Sequence, residues 1–208
     1  DKVIDAELHP NSGEIKMAEV INRISEVTDG EAIVVTDVGQ HQMVANRYYK
    51  FRKSLSCITS GGLGTMGFAL PSAMGAKVGQ PERTVIAVIG DGGFQMTIQE
   101  LGTIRQSDLA VKILILNNNF LGMVRQWQQL FFDKRYASTE MVSPDFVAIA
   151  KGYYLDAKKV DKRENLDAAV AEMIASDKPY FLEVCVEKED NVFPMIPTGA
   201  SVSDIRLK

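Results

Sequence analysis

The sequence contains five short runs of apolar or β-branched residues, at 32–36, 56–59, 84–89, 111–116 and 181–186. Runs of four to six residues are too short for buried helices, so each predicts a strand whose two faces are both covered. Helix-like segments separate them, near 14–28, 65–79, 94–106, 121–131, 144–152 and 164–176. Strands that alternate with helices predict βαβ units, and therefore an α/β fold with a parallel sheet and helices on both faces.

The ends of the chain differ from this pattern. Residues 1–13 are polar and include Pro10, so they are interpreted as a linker, after which Asn11 or Ser12 caps the first helix. The predicted α/β domain spans 14–187, and within it Ser143 and Pro144 are expected to begin the helix at 144–152. The tail, 188–208, is expected to wrap the surface. Because the first methionine is Met17, we expect further sequence upstream.

Composition excludes several classes of function. Hydrophobic residues make up 46% and charged residues 24% of the 208 residues, which is typical of one globular domain. The net charge of −4, with scattered Lys and Arg, argues against nucleic-acid binding. No run is long enough for a membrane helix, and no signal peptide opens the chain. Cys57 and Cys185 lie in apolar stretches and are predicted to be buried free thiols, as in a reducing cytoplasm.

Polar residues and glycines follow four of the predicted strands. In parallel sheets ligands bind beyond the carboxyl ends of the strands, so these segments are the candidate site. They are Asp37–His41, Gly61–Gly64, Gly90–Gly93 and Asn117–Asn119.

Two of these segments have the spacing of a metal-diphosphate site. Asp91 and Asn118 are 27 residues apart, which is the length of a helix and a strand in one βαβ unit. If the two strands are neighbours, a carboxylate and an amide oxygen meet at one sheet edge, and Mg²⁺ prefers such ligands together with phosphate oxygens. The glycines allow the backbone to approach a phosphate closely. Either segment alone is usually only a loop, whereas the pair is far more specific.

This Gly-Asp-Gly to Asn-Asn arrangement resembles the thiamine-diphosphate motif. Over about residues 14–200 the chain is also similar to the catalytic subunit of acetolactate synthases. The similar segments are Gly39–Met43, Ile58–Gly67 and Leu121–Trp127. The resemblance implies the thiamine-diphosphate-binding fold and the condensation of pyruvate with a second 2-oxo acid, with loss of CO₂, in branched-chain amino-acid biosynthesis.

The resemblance also implies roles for individual residues. Asp91, Asn118 and the backbone carbonyl of Phe120 would ligate Mg²⁺, although many relatives have a polar residue in place of Phe120. The residues implied to contact thiamine diphosphate are Gln40, His41, Gly64, Met66, Gly90, Asp91, Gly92, Gly93, Asn118, Gly122 and Met123. Those implied to contact substrate are Met123, Val124 and Trp127. Met66 would support the thiazolium ring, and Gly64 and Met66 the aminopyrimidine.

The remaining implications concern parts outside this sequence. No catalytic residue is expected in the chain, because the glutamate that activates the cofactor would lie in a pyrimidine-binding domain of a partner subunit. FAD would bind a further domain, and the complete enzyme would be a homo-oligomer with a possible regulatory small subunit.

Several alternatives stay open at this point. Gly62, Gly64 and Gly67 fit the Gly-x-Gly-x-x-Gly pattern of a nicotinamide-dependent dehydrogenase, with Asp91 as the ribose-binding acid. Pyruvate oxidase, glyoxylate carboligase and 2-oxo acid decarboxylases share the metal motif. The isolated chain could also be a non-catalytic module. Met123 and Trp127 could be ordinary core residues, and His41 only a polar helix cap.

Overall fold

The computed structural model describes residues 2–207 and contains one six-stranded parallel sheet. The strands are β1 Ile33–Thr36, β2 Cys57–Thr59, β3 Val85–Gly90, β4 Val111–Asn117, β5 Asp156–Val160 and β6 Tyr180–Cys185. Their order is β2-β1-β3-β4-β6-β5. The parallel α/β prediction and its five strands are confirmed. β5 was missed because it is a polar edge strand whose sequence, Asp-Ala-Lys-Lys-Val, gives little apolar signal.

Nine α-helices accompany these strands in the described part of the chain. They are α1 Lys2–Leu8, α2 Met17–Val27, α3 Gln40–Tyr48, α4 Ala69–Gly79, α5 Asp91–Met96, α6 Glu100–Gln106, α7 Gly122–Phe131, α8 Phe146–Gly152 and α9 Leu166–Ala175. The predicted helix at 94–106 is two helices, α5 and α6. The one predicted from residue 65 begins only at Ala69, because the glycine-rich loop runs on to Phe68.

The inner strands direct alternate residues into two cores. Val34, Ile86 and Leu114 pack on the face covered by α2, α3 and α9. Their neighbours Val35, Ala87 and Ile113 pack on the opposite face, against α4, α5, α6 and α8. This alternation follows from the period of two along a strand, and it explains why both faces of β3 and β4 are fully buried.

Three local predictions are wrong. The first core helix begins after Lys16 rather than Asn11 or Ser12, because Glu19 accepts a hydrogen bond from the Lys16 amide. α8 begins after Asp145 rather than at Ser143 and Pro144, because the Asp145 carboxylate accepts from the Ala148 amide. Cys57 is exposed because β2 is the outer strand of the sheet, and Cys185 is half-buried.

The ends of the chain have more order than the sequence indicated. Residues 2–8, within the predicted linker, form α1, and Glu7 of that helix forms an ion pair with Lys16 at 2.9 Å. The tail has little regular structure beyond a 3-10 turn at Val202–Asp204, but its first residues contact the sheet end. The division of the chain at residues 13 and 187 stays a prediction.

None of the helices within residues 2–207 combines the length and apolar character needed to span a membrane.

Strand order determines where a ligand can bind. The chain moves from β1 outward to β2 and then crosses back to β3 on the other side of β1. Such a reversal opens a crevice at the carboxyl ends of the two inner strands, here β1 and β3. The segments that follow β1, β3 and β4 are those singled out in the sequence.

Candidate functional site

A cleft lies at this crevice and encloses about 560 Å³, its open mouth included. Nearly all of the predicted cofactor and metal residues line it. They are Gln40, His41, Met66, Gly90, Asp91, Gly92, Gly93, Asn118, Phe120, Gly122 and Met123, together with the predicted substrate residue Val124. Gly64 and Trp127 are the two predicted site residues that do not line it. The structure therefore gathers residues that lie more than 80 positions apart in the sequence.

Asp91 stands at the start of α5, directly after β3, and its side chain is buried. Burial raises the pKa of Asp91 to about 6, because the charged carboxylate is removed from water. The Ser143 hydroxyl donates to Asp91 Oδ2 at 3.2 Å and opposes that rise. A cation in the cleft would stabilise the carboxylate further, so this position suits a metal ligand.

Asn118 follows β4, which pairs with β3 in parallel register. The prediction that these two strands are neighbours is therefore confirmed. Asn118 Oδ1 accepts from the Phe120 amide at 3.2 Å, and an amide oxygen has a second lone pair for another partner. Asn118 Nδ2 donates to Gln40 Oε1 at 3.3 Å. These two bonds fix the amide of Asn118 at the cleft.

Gln40 and His41 begin α3, directly after β1, and both are buried. Gln40 Nε2 donates to Gln126 Oε1 and to the Asp190 carbonyl, each at 2.8 Å, so this side chain joins α3, α7 and the tail. Burial lowers the pKa of His41 to about 4, and the nearby Asp37 carboxylate only partly offsets that effect. Within the described residues His41 Nε2 has no hydrogen-bond partner, although it is buried. It is therefore a free polar group at the cleft wall.

Two glycines of the cleft are required by close contacts. A Cβ at Gly93 would overlap the Asp37 carboxylate. A Cβ at Gly122 would overlap Gln40 Oε1 and Asn118 Nδ2. Since α7 begins at Gly122, the absence of a side chain also leaves its first backbone amides open to the cleft. Free amides at a helix start are favourable partners for an anion such as a diphosphate.

Asp37 belongs to the first predicted site segment, but its role could be recognised only in the structure. Its buried carboxylate accepts from the amides of Gly67 and Ala69, both at 3.1 Å. These bonds attach the loop after β2 to the end of β1 and fix the start of α4. The loop places Met66 at the cleft, whereas Gly64, with φ of +61°, is exposed beside it. An aspartate directly after an apolar strand was the available signal for this anchor.

The predicted substrate residues lie along α7. Val124 is 49% exposed and Trp127 is 41% exposed, so Trp127 is not a core residue in this chain. Trp127 packs on Phe131 with ring centroids 4.9 Å apart. It lines a neighbouring groove with Met123 and residues of the tail, among them Met195 and Ile196. Met123 is shared by the groove and the cleft, and it connects the two.

The Phe120 side chain has a structural role of its own. The Arg125 guanidinium lies 6.0 Å and the Lys188 ammonium 5.2 Å from the centre of its ring. Tyr136 packs edge-on at 6.1 Å. These contacts hold the loop that carries the Phe120 carbonyl, so an apolar residue is accommodated here.

Comparison with known proteins agrees with this geometry. Residues 37–184 match the family described as "Thiamine pyrophosphate enzyme, C-terminal TPP binding domain". The chain belongs to this thiamine pyrophosphate enzyme family. The matched range begins at Asp37, covers every strand end that lines the cleft, and stops in β6. Thiamine pyrophosphate is another name for thiamine diphosphate. Family membership therefore favours the thiamine-diphosphate interpretation over that of a nicotinamide-dependent dehydrogenase.

Relatives of this family member include large subunits of acetolactate synthases. The chain is 43% identical over 190 residues to the acetolactate synthase isozyme 2 large subunit of Escherichia coli (strain K12). It is 45% identical over 191 residues to the acetolactate synthase large subunit of Lactococcus lactis subsp. lactis (strain IL1403). Each alignment covers 91% of this chain, but only 35% and 33% of the respective relative. The chain thus spans about a third of the length of these proteins.

The cleft fits the diphosphate end of such a cofactor. Asp91 and Asn118 offer the oxygen ligands that Mg²⁺ prefers, and the start of α7 offers backbone amides. The described residues contain no group of three or more His, Cys, Asp or Glu side chains that could hold a metal ion. A Mg²⁺ ion held by Asp91, Asn118 and the Phe120 carbonyl would complete its shell with diphosphate oxygens and water.

Proposed function

We propose that this chain binds Mg²⁺ and the diphosphate of thiamine diphosphate in an acetolactate synthase, which condenses pyruvate with a second 2-oxo acid. The observation that carries the proposal is the convergence of Asp91, Asn118 and Gly122 on one cleft between β1, β3 and β4. Family membership and the acetolactate synthase relatives support it.

The residues of the chain would orient the cofactor and neutralise its charge. When bound, thiamine diphosphate supplies a nucleophilic carbon and an electron sink for the loss of CO₂ from a 2-oxo acid. Asp91, Asn118 and the Phe120 carbonyl would hold the metal, while Gln40, Gly92, Gly93 and the α7 amides would face the diphosphate. His41, neutral and without a partner at Nε2, would donate or accept one hydrogen bond there. Met66, at the cleft, would support the thiazolium ring, with Gly64 beside the aminopyrimidine.

Substrate binding is assigned to the apolar start of α7. Met123 and Val124 border the cleft and Trp127 the adjoining groove, so together they would form the wall for the second 2-oxo acid. The complete enzyme would carry FAD on other segments and act as a cytoplasmic homo-oligomer with a possible regulatory small subunit. The activating glutamate would come from a partner subunit. Both cysteines are free, which suits a reducing compartment.

Binding measurements on matched variants test the metal assignment. In a protein that carries this chain together with the remaining length of its relatives, titration calorimetry with Mg²⁺ and thiamine diphosphate would compare the wild type with Asp91→Ala and Asn118→Ala. We expect Asp91→Ala to lose about 3–5 kcal/mol of binding free energy, because a desolvated charge pair is broken. Asp145→Ala, which removes only the cap of α8, is the control and should bind like the wild type. Unchanged affinity in both site variants would contradict the assignment.

The reaction itself is tested by product analysis. A protein that carries this chain together with the remaining length of its relatives should form acetolactate from pyruvate. Acetate, acetaldehyde or tartronate semialdehyde as the main product would instead indicate an oxidase, a decarboxylase or a glyoxylate carboligase, all of which use the same metal motif.

A further inference from the structure

The loop that carries Asn118 and Phe120 is held from behind by a buried acid. Glu183 lies on β6, only 1% exposed, on the strand next to β4. Its Oε1 accepts from Asn117 Nδ2 at 2.8 Å, a fully buried hydrogen bond. Neither the metal motif nor the cleft lining includes Glu183.

Asn117 connects Glu183 to the loop. While its amide nitrogen is bound by Glu183, its Oδ1 accepts from the Asn119 amide at 3.0 Å. Asn119 has φ of +53°, in the left-handed region that few non-glycine residues adopt, although asparagine does so more readily than most, and the bond to Asn117 Oδ1 stabilises it there. Because Glu183 Oε1 accepts from the Asn117 amide nitrogen, it fixes which end of the Asn117 amide faces the loop. The loop conformation therefore depends on the acceptor oxygen that Glu183 supplies to Asn117.

The other contacts of Glu183 support this arrangement. Lys159 on β5 forms an ion pair with Glu183 Oε1 at 3.1 Å, and the lysine side chain is half-exposed while the acid is buried. Burial is the main cause of the raised pKa of Asp91, and the nearby Glu183 carboxylate adds a smaller contribution to that rise. A second negative charge behind the ligands would strengthen the attraction for a divalent cation.

We propose that Glu183 is a positioning residue: through Asn117 it sets the loop 117–120 in the conformation that presents the Asn118 side chain and the Phe120 carbonyl to the metal. The proposal rests on the proposed function for the identity of the ligand, but not for the hydrogen-bonded relay itself. Residues that orient metal ligands in this way typically change metal affinity by about 10- to 100-fold when replaced.

Hydrogen exchange of the loop amides tests the relay without any cofactor. In Glu183→Leu we expect the Asn119 and Phe120 amides to exchange about tenfold faster than in the control. Without Glu183 the Asn117 side chain is no longer fixed, so the hydrogen bonds that these two amides donate within the loop open more often. The control is Val184→Ala, which weakens the same strand on its opposite face. Glu183→Gln keeps an acceptor oxygen for Asn117 and should restore slow exchange.

Asn117→Ala tests the relay from its other end, and it replaces Glu183→Leu should that variant not fold. Asn117→Ala should speed exchange at Asn119, and adding Glu183→Leu to it should change the loop little further, because both substitutions break one pathway. Loop exchange in Glu183→Leu and Asn117→Ala equal to that of Val184→Ala would overturn the proposal, as would Glu183→Gln behaving like Glu183→Leu.

Calorimetry with Mg²⁺ and thiamine diphosphate separates this inference from the proposed function. We expect Glu183→Leu to raise the Mg²⁺ concentration for half-saturation at least tenfold, while Val184→Ala leaves it near the wild-type value. These titrations use a protein that carries the chain together with the remaining length of its relatives. Failure of its wild type to bind would contradict the proposed function, and the exchange result would still decide the relay. Binding by the wild type and by Glu183→Leu with equal Mg²⁺ dependence would overturn the inference alone.

Discussion

The buried imidazole of His41 gives a prediction about pH. Its pKa is lowered to about 4 by burial, whereas the ordinary value is 6.5. Between pH 6.5 and 4 the imidazole therefore binds a proton in the unfolded chain but not in the folded chain. Stability falls as pH falls through this window. The loss from this residue is on the order of 3 kcal/mol.

Two measurements check this prediction. In an NMR titration the His41 imidazole should stay neutral to well below pH 6, with the exposed His9 as the only other histidine signal. In denaturant unfolding, the difference in stability between wild type and His41→Gln should change in favour of the variant as pH falls from 6.5 to 4. A His41 resonance that titrates near pH 6.5 would contradict both.

Asp37 gives a second prediction at this scale. Replacing it with Ala leaves the buried amides of Gly67 and Ala69 without an acceptor, so we expect a loss of about 2–4 kcal/mol of unfolding free energy. Asp37→Asn keeps one acceptor oxygen and should lose roughly half as much. Chemical denaturation gives the free energies, and exchange of the two amides shows whether the loop has opened. Equal stability of all three proteins would show that the carboxylate does not anchor this loop.

At the scale of elements, α7 gives a prediction about selectivity. Trp127 is partly exposed and packs mainly on Phe131, so Trp127→Leu should cost only about 1 kcal/mol of stability instead of the roughly 3–5 kcal/mol of a core residue. Because an apolar wall discriminates one methylene by about 1–3 kcal/mol, the variant should change the preference between pyruvate and 2-oxobutyrate.

The matched control for this experiment is Phe131→Leu, which breaks the same aromatic pair but does not line the groove. A competition assay with both acceptors, in a protein that forms acetolactate, should give an altered product ratio for Trp127→Leu alone. An unchanged ratio combined with a large melting loss would show that Trp127 has only a structural role.

Elements differ in how much their sequences revealed. β3 and β4 could be predicted because both of their faces are buried and their residues are apolar or glycine, apart from Lys112 near the start and Asn117 at the end of β4. β5 was not, because an edge strand needs no apolar face, and Asp156 and Lys159 remain accessible. Helix starts were displaced because the actual caps, such as Asp145, compete with equally good candidates nearby. Local signals locate an element, whereas tertiary contacts determine its ends.

At the scale of the whole molecule, residues at strand ends could be predicted as a site because a parallel sheet collects them at one edge. Asp91 and Asn118 were found in this way, and the cleft contains both. Asp37 and Glu183 could not be assigned, because their partners lie about 30 and 66 residues away in the sequence and only the strand order brings them together. Motifs indicate ligands, while the residues that orient them depend on the topology.

The last prediction concerns the activity of the chain by itself. The cleft is open at its mouth, and α7 exposes Val124, Trp127 and Phe131 beside it. Apolar side chains of this size next to a binding cleft are typical of an interface, and the activating glutamate is expected from a partner subunit. We therefore expect the purified 208-residue chain to bind thiamine diphosphate weakly and to form no acetolactate.

Two assays on the purified chain decide this point. Sedimentation should show self-association that a Val124→Lys substitution on the exposed face of α7 reduces, because the charge opposes burial of that face. Acetolactate formation from pyruvate, Mg²⁺ and thiamine diphosphate should remain at background at any concentration of the chain. Turnover by the chain alone would mean that the residues of this cleft suffice for cofactor activation, and that no partner-derived acid is needed.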